Sequence, residues 1–163
     1  MASEGLPVFV RLVPIMTTTS SLWYAWDQYE QITLFRHAEL RSLSNQLLPR
    51  YFTSFFNRGA PRVLALLMGT AFSCAAILRY SPAGVVHGSG AVPWYVGGLS
   101  LAVAHLAWAP SIFPLKNLIE KDAKEKNVTH VERWLRLHVW RSLTVDLGAW
   151  ICCIVATVKT LSR

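Results

Sequence analysis

Between Arg79 and Lys116 the chain carries no Asp, Glu, Lys or Arg. An uncharged run of that length holds a turn and a complete helical crossing of the ~30 Å hydrocarbon layer, for which roughly 20 apolar residues suffice. A soluble domain has no way to hide such a run beside several other apolar segments, so the chain reads as a membrane protein. Composition agrees, with 53% hydrophobic and 15% charged residues among 163, where soluble domains carry about 25% charged. One domain, 1–163, is the natural expectation for this length.

The formal charge of +7 raises nucleic acid as a partner. The basic residues, however, fall in loops between apolar segments and not along a solvated face interleaved with aromatics, so lipid head groups are the expected partners and nucleic acid is not. Cys74, Cys152 and Cys153 all lie inside apolar segments, without zinc spacing, and read as buried small hydrophobes. The first apolar stretch has no basic leader and runs straight into Trp23, Trp26 and Asp27. It reads as a retained span and not as a cleaved signal.

The hydropathy pattern predicts an all-α membrane protein, an up-down bundle of four transmembrane helices at about 8–28, 63–80, 94–113 and 137–160. The first helix continues toward His37. The first loop, about 36–62, holds a Leu-Leu-Pro-Arg-Tyr-Phe run that suits an amphipathic interfacial segment, and Gly59 and Pro61 are expected to open the second span. Gly69, Ser73 and Ala76 there suit close helix packing. Pro82, Gly84, Gly88, Gly90 and Pro93 predict a turn, with His87 solvated. Pro110 and Pro114 are expected to kink or end the third span, and Gly97-Gly98 offers a close-approach face that would allow a homo-oligomer.

Orientation follows from the distribution of positive charge. Arg36, Arg41, Arg50, Arg58 and Arg62 in the first loop and Lys116, Lys121, Lys124, Lys126, Arg133 and Arg136 in the third outnumber Arg11, Arg79, Lys159 and Arg163 on the other side. Loops one and three are therefore expected in the cytoplasm, with the protein in the endoplasmic reticulum or another intracellular membrane. Asn127-Val128-Thr129 matches the glycosylation pattern, but on this topology it stays unmodified.

Candidate chemistry gathers at one end of the bundle. At about 3.6 residues per turn, Trp134, His138 and Arg141 share one helical face at the mouth of the fourth span, and Asp146 follows inside it. Asp27 and Glu30 close the first span at the same level, on a stripe with Met16, Thr19, Trp23, Leu34 and His37, and Asn117 follows the third. Trp26, Trp108, Trp134 and Trp140, with His105 in the third span, supply flat apolar surface suited to a polycyclic ligand. His138, oriented by Asp27 or Glu30, would remove a proton from a lipophilic substrate, and Arg141 with Asn117 would hold the anion. The competing reading is structural: Arg141 pairs with Asp27 or Asp146 to hold the bundle, and His138 bonds a carbonyl. Hydrolase, nucleotide-binding and dinucleotide motifs are absent, and no metal site is expected.

Ala104-His105-Leu106-Ala107-Trp108-Ala109-Pro110, with Pro114-Leu115-Lys116-Asn117, resembles the third-span ending of a family of small four-span proteins that includes the fungal anthrone oxygenases. In that family a Pro and Asn close the third helix, and a Trp and a His or Asn three residues before an Arg follow in the fourth, as Trp134, His138 and Arg141 do here. The stretch from Arg50 to Leu66 is also similar. The interval from Pro114 to Asn117 is longer than the family's, and Asp27 and Glu30 have no counterpart in its first span. The resemblance implies a membrane-embedded monooxygenase of polyketide-type secondary metabolism that uses molecular oxygen on an anthrone-like carbon acid, without a bound cofactor. A proton-transfer isomerase or cyclase on a polyketide or terpenoid, and a non-catalytic binding or structural protein, are the alternatives.

Overall fold

The computed structural model describes residues 7–121 and 126–162; Lys124 and Arg163 of the charge pattern lie outside them. Among the described residues the structure is helical and without strands: α1 (Val8–Thr33), α2 (Arg41–Tyr80), a short α3 (Ala83–Val86), α4 (Val92–Ala104), α5 (Ala109–Glu120), α6 (Asn127–Arg141) and α7 (Leu147–Leu161). A 3-10 turn, His105–Trp108, joins α4 to α5, and a π turn, Ser142–Asp146, joins α6 to α7. The result is four long rods. Three stretches, Ala38–Tyr80, Val92–Glu120 and Asn127–Leu161, are long and apolar enough to cross a membrane.

The first rod, α1, is not among those three, and its middle explains why. Thr17, Thr18, Thr19, Ser20 and Ser21 occupy it. Two of these hydroxyls return to carbonyls one turn back, Thr18 Oγ1 to Pro14 O at 2.7 Å and Thr17 Oγ1 to Val13 O at 2.9 Å, which satisfies their donors within the helix. Thr17 also meets Thr70 Oγ1 of α2 at 2.7 Å, beside Gly69, where an added Cβ would lie 3.0 Å from Thr17 Cγ2.

The prolines do less than the sequence suggests. Gly59 and Pro61 do not open the second span: α2 runs unbroken for 40 residues through Pro49 and Pro61. The amphipathic segment of the first loop is its N-terminal half. Loss of one N–H bond at each proline is offset where packing holds the helix, and Phe52 and Gly59 are buried on that half. Pro110 falls in the first turn of α5, where its missing N–H would have no partner in any case, so the helix restarts after the 3-10 turn and does not end. Much of the third loop is likewise helix, the basic N-terminal half of α6. The turn after α2 keeps the short helix α3 and otherwise behaves as expected, with Gly90 at φ 65 and His87 exposed.

The rods pack in a ring, α1 on α2, α2 on α4, α4 on α7 and α7 back on α1. One packed cluster, with Ile32, Leu48, Phe52, Ile119, Val131 and Trp134, fills the basic end. Another, with Cys74, Ile77, Tyr95, Cys153 and Ala156, fills the opposite end. At the basic end Asn45 Oδ1 accepts the backbone N–H of Val128 at 2.9 Å, and Asn127 Nδ2 donates to Asn45 O at 2.8 Å. Asn127 is fully buried, so the folded chain has no room for a glycan there.

Gly97 and Gly98 do provide a close approach, but within the chain. A Cβ on Gly98 would lie 2.8 Å from Cys153 Sγ, and one on Gly97 would lie 3.1 Å from Cys152 Sγ. Helix α7 occupies the face that the sequence offers to a second copy. Gly98→Ala should destabilise by ~1–3 kcal/mol through overpacking, read as a lower unfolding temperature in detergent, and Cys153→Ala in the same chain should restore most of it.

Candidate active site

The face set out by Trp134, His138 and Arg141 on α6 forms as their spacing requires, and all three are buried. The Trp134 and His138 rings stack with centroids 4.8 Å apart and planes at 22°. His138 Nε2 lies 2.9 Å from Ala25 O of α1. A carbonyl only accepts, so Nε2 carries the hydrogen and Nδ1 is left as the acceptor. Arg141 Nη2 donates to that Nδ1 at 3.2 Å.

The π turn then does something an α-helix could not. Residues five apart on an α-helix stand about 140° apart around the axis, whereas the wider π turn brings them nearly onto one face. Arg141 Nε thereby reaches Asp146 Oδ2 at 3.3 Å. The carbonyls disturbed by the turn are partly served by Thr144 Oγ1, which donates to Trp140 O at 2.6 Å. The second oxygen, Asp146 Oδ1, accepts from His105 Nδ1 at 2.7 Å. His105 enters from the 3-10 turn between α4 and α5. With Nδ1 held by the carboxylate, Nε2 is its remaining nitrogen.

Beside this network lies a cavity of about 260 Å³, against the packed cluster of the basic end. Its walls are mostly apolar and aromatic, from Phe55, Phe56, Val63 and Leu67 on α2, Trp108, Ile112 and Phe113 around α5, and Trp134 on α6. Gln28, His105 and Arg141 are the polar members. Gly59 lies in the same wall, and a Cβ there would sit 3.1 Å from Gln28 Nε2 and 3.2 Å from Tyr24 Oη. The arrangement places one imidazole backed by a carboxylate, one guanidinium and one amide around a space otherwise suited to a flat or elongated apolar molecule.

The other residues singled out from the sequence lie elsewhere. Asp27 accepts from Gln31 Nε2 at 2.8 Å and faces a separate cleft with Tyr24, Tyr51, Arg58 and Arg62. Glu30, His37 and Asn117 are exposed. Trp26 is 59% and Trp140 64% exposed, so the aromatic surround is made by Trp108 and Trp134, with Phe55 and Phe56. The competing structural reading named two contacts that are present: Arg141 pairs with Asp146, and His138 bonds a carbonyl.

Gln28, Phe55, Phe56 and Gly59 were missed as candidates. For Gln28 a signal existed. The buried stripe of α1 is Pro14, Thr18, Ala25, Gln28 and Ile32, a run at helical spacing that lies one residue, about 100°, from the stripe containing Asp27 and Glu30.

Among known proteins the chain is 29% identical to the epoxidase pydX of an Acremonium species, over 99% of this chain and 100% of that one. It is 29% identical to the probable epoxidase scpX of Mollisia scopiformis, over 93% of this chain and 96% of that one. To the epoxidase gkaX of Penicillium citrinum it is 28% identical, over 93% and 94%. No family model matches the chain, and no solved structure matches it. Along nearly its whole length, then, this helical chain is a homologue of proteins named epoxidases, a kinship that supports an oxidative enzyme.

Proposed function

We propose that the chain is a membrane-embedded oxygenase that acts on a lipophilic secondary metabolite held in the cavity between α1, α2, α5 and α6. The observation that carries this reading is the His105–Asp146–Arg141 network at the wall of an apolar cavity, in a chain similar from end to end to three epoxidases. His105 Nε2 takes a proton from an acidic hydroxyl or activated carbon of the substrate, Asp146 holds the imidazole for that task, and Arg141 holds the resulting anion. His138, with one nitrogen on Ala25 O and the other on Arg141, serves as the residue that positions the guanidinium.

The electron-rich anion then reduces molecular oxygen, the co-substrate, and no bound cofactor is needed. With a hydroquinone-type substrate, one oxygen atom bridges a former double bond as an epoxide. The other leaves as water, and the two electrons and two protons it takes come from the substrate, whose hydroxyls end as carbonyls. The names of the relatives favour this outcome. The sequence resemblance favours a second one, in which an anthrone-like methylene becomes a carbonyl and the other oxygen atom again leaves as water.

The same reading gives all four rods, α1 included, a transmembrane course, with the basic ends of α2, α5 and α6 in the cytoplasm and the protein in an intracellular membrane. Purified protein in lipid nanodiscs, supplied with labelled oxygen gas and either anthrone or a hydroquinone bearing an alkyl chain, tests the chemistry. Label should enter the organic product faster than without protein. An epoxide gains one oxygen for two hydrogens lost from the hydroxyls, with its ring carbons bridged, and an anthrone gains one oxygen for the two hydrogens of its methylene. A labelled product from neither substrate, together with an isomerised or cyclised one, would instead indicate proton-transfer chemistry.

A further inference from the structure

Gln28 is 6% exposed, lines the cavity, and its side-chain amide has no hydrogen-bond partner among the described residues. The amide is not among the polar atoms sealed inside the protein, so it opens onto the cavity, where a ligand can supply the hydrogen bonds that buried polar groups normally make. The surroundings show that it is accommodated on purpose: Gly59 faces its Nε2, and any side chain at that position would crowd it at 3.1 Å. The indole N–H of Trp134, another lining residue, is sealed inside the protein, so the Gln28 amide is the neutral donor that the wall offers to the space the catalytic reading gives to the substrate. A primary amide offers two N–H donors and one acceptor, which an alkane or an unsubstituted arene cannot use.

We propose that Gln28 recognises the substrate by a hydrogen bond, and that the substrate class is therefore a lipophilic molecule bearing a carbonyl or hydroxyl oxygen that reaches α1 while the reacting carbon faces His105 and Arg141. The inference rests on the cavity being the substrate site. It gives α1, whose part in the acid–base network is the backbone carbonyl of Ala25 on His138, the role of discriminating among apolar ligands. Hydrogen-bonding sites reject analogues that lack the matching group far more strongly than apolar walls reject a change of size.

The test uses two probes of one ring skeleton, anthrone and 9,10-dihydroanthracene, the second lacking the carbonyl. Binding to the full-length protein in detergent is read from quenching of its tryptophan fluorescence, and fold from thermal unfolding without ligand. Wild type should bind anthrone at least about tenfold more tightly than dihydroanthracene, a margin of the order expected for one satisfied buried hydrogen bond. Gln28→Leu should remove that preference, keep dihydroanthracene binding, and unfold at the same temperature as wild type or higher, because it deletes an unpaired polar group. A preference that survives in Gln28→Leu, a wild type without preference, or a Gln28→Leu protein that unfolds at lower temperature and loses both probes would each overturn the proposal. Failure of the oxygenase reading is a separate result, since it shows as absent label uptake in a protein that still prefers anthrone.

Discussion

Asp146→Ala is expected to cost ~3–5 kcal/mol of stability and to abolish turnover. Asp146 is buried and is the counter-charge of Arg141, which is buried as well. Removing one partner of such a pair leaves the other charge desolvated and alone, which is the expensive way to disrupt it. His105 Nδ1 loses its acceptor in the same step. Denaturant or thermal unfolding in detergent measures the first effect, and oxygen uptake measures the second. An Asp146→Ala protein as stable as wild type would mean that Arg141 is not held as the network requires.

The second large effect is expected at His105, and on rate without fold. His105→Gln keeps a side chain able to donate to Asp146 Oδ1 but supplies no base at the cavity, so oxygen uptake with a responsive substrate should fall by ~10²–10⁴-fold, the usual worth of a positioned general base. The unfolding temperature should stay near that of wild type. His138→Gln should act differently, because His138 touches Ala25 O and Arg141 and is not among the cavity-lining residues: it should loosen the α1–α6 contact and lower stability together with rate. A His105→Gln protein with full activity would move the base elsewhere.

How much of this was legible depends on the distance over which a pattern holds. The Trp134, His138 and Arg141 face could be read because it needs only the regular turn of one helix, and the three side chains do touch in sequence along it. The charges at Asp27 and Glu30 lie on a different face of α1 from the one that lines the cavity. Burial is decided there by the apolar and small residues at Thr18, Ala25 and Ile32, and Gln28 travels with them. Asp146 was visible as a charge inside an apolar run, but its pairing with Arg141 across five residues depends on a π turn that nothing in Ser142–Asp146 announces. Four long helices were legible in the chain, three of them apolar enough to cross a membrane; the length of α2 was not, because prolines read as boundaries where packing carries the helix through them.

That same network is also what a purely structural ion pair would look like, and the two readings separate when the pair is replaced and not broken. Exchange of a buried pair for apolar residues of similar volume is often neutral or stabilising, so Arg141→Met combined with Asp146→Leu should fold. Oxygen uptake by that double variant is measured beside its unfolding temperature. The expected result is a protein that folds and whose uptake does not rise above the protein-free rate. A folded double variant that consumes oxygen at the wild-type rate would contradict it, and would leave Arg141 and Asp146 as fasteners of the bundle.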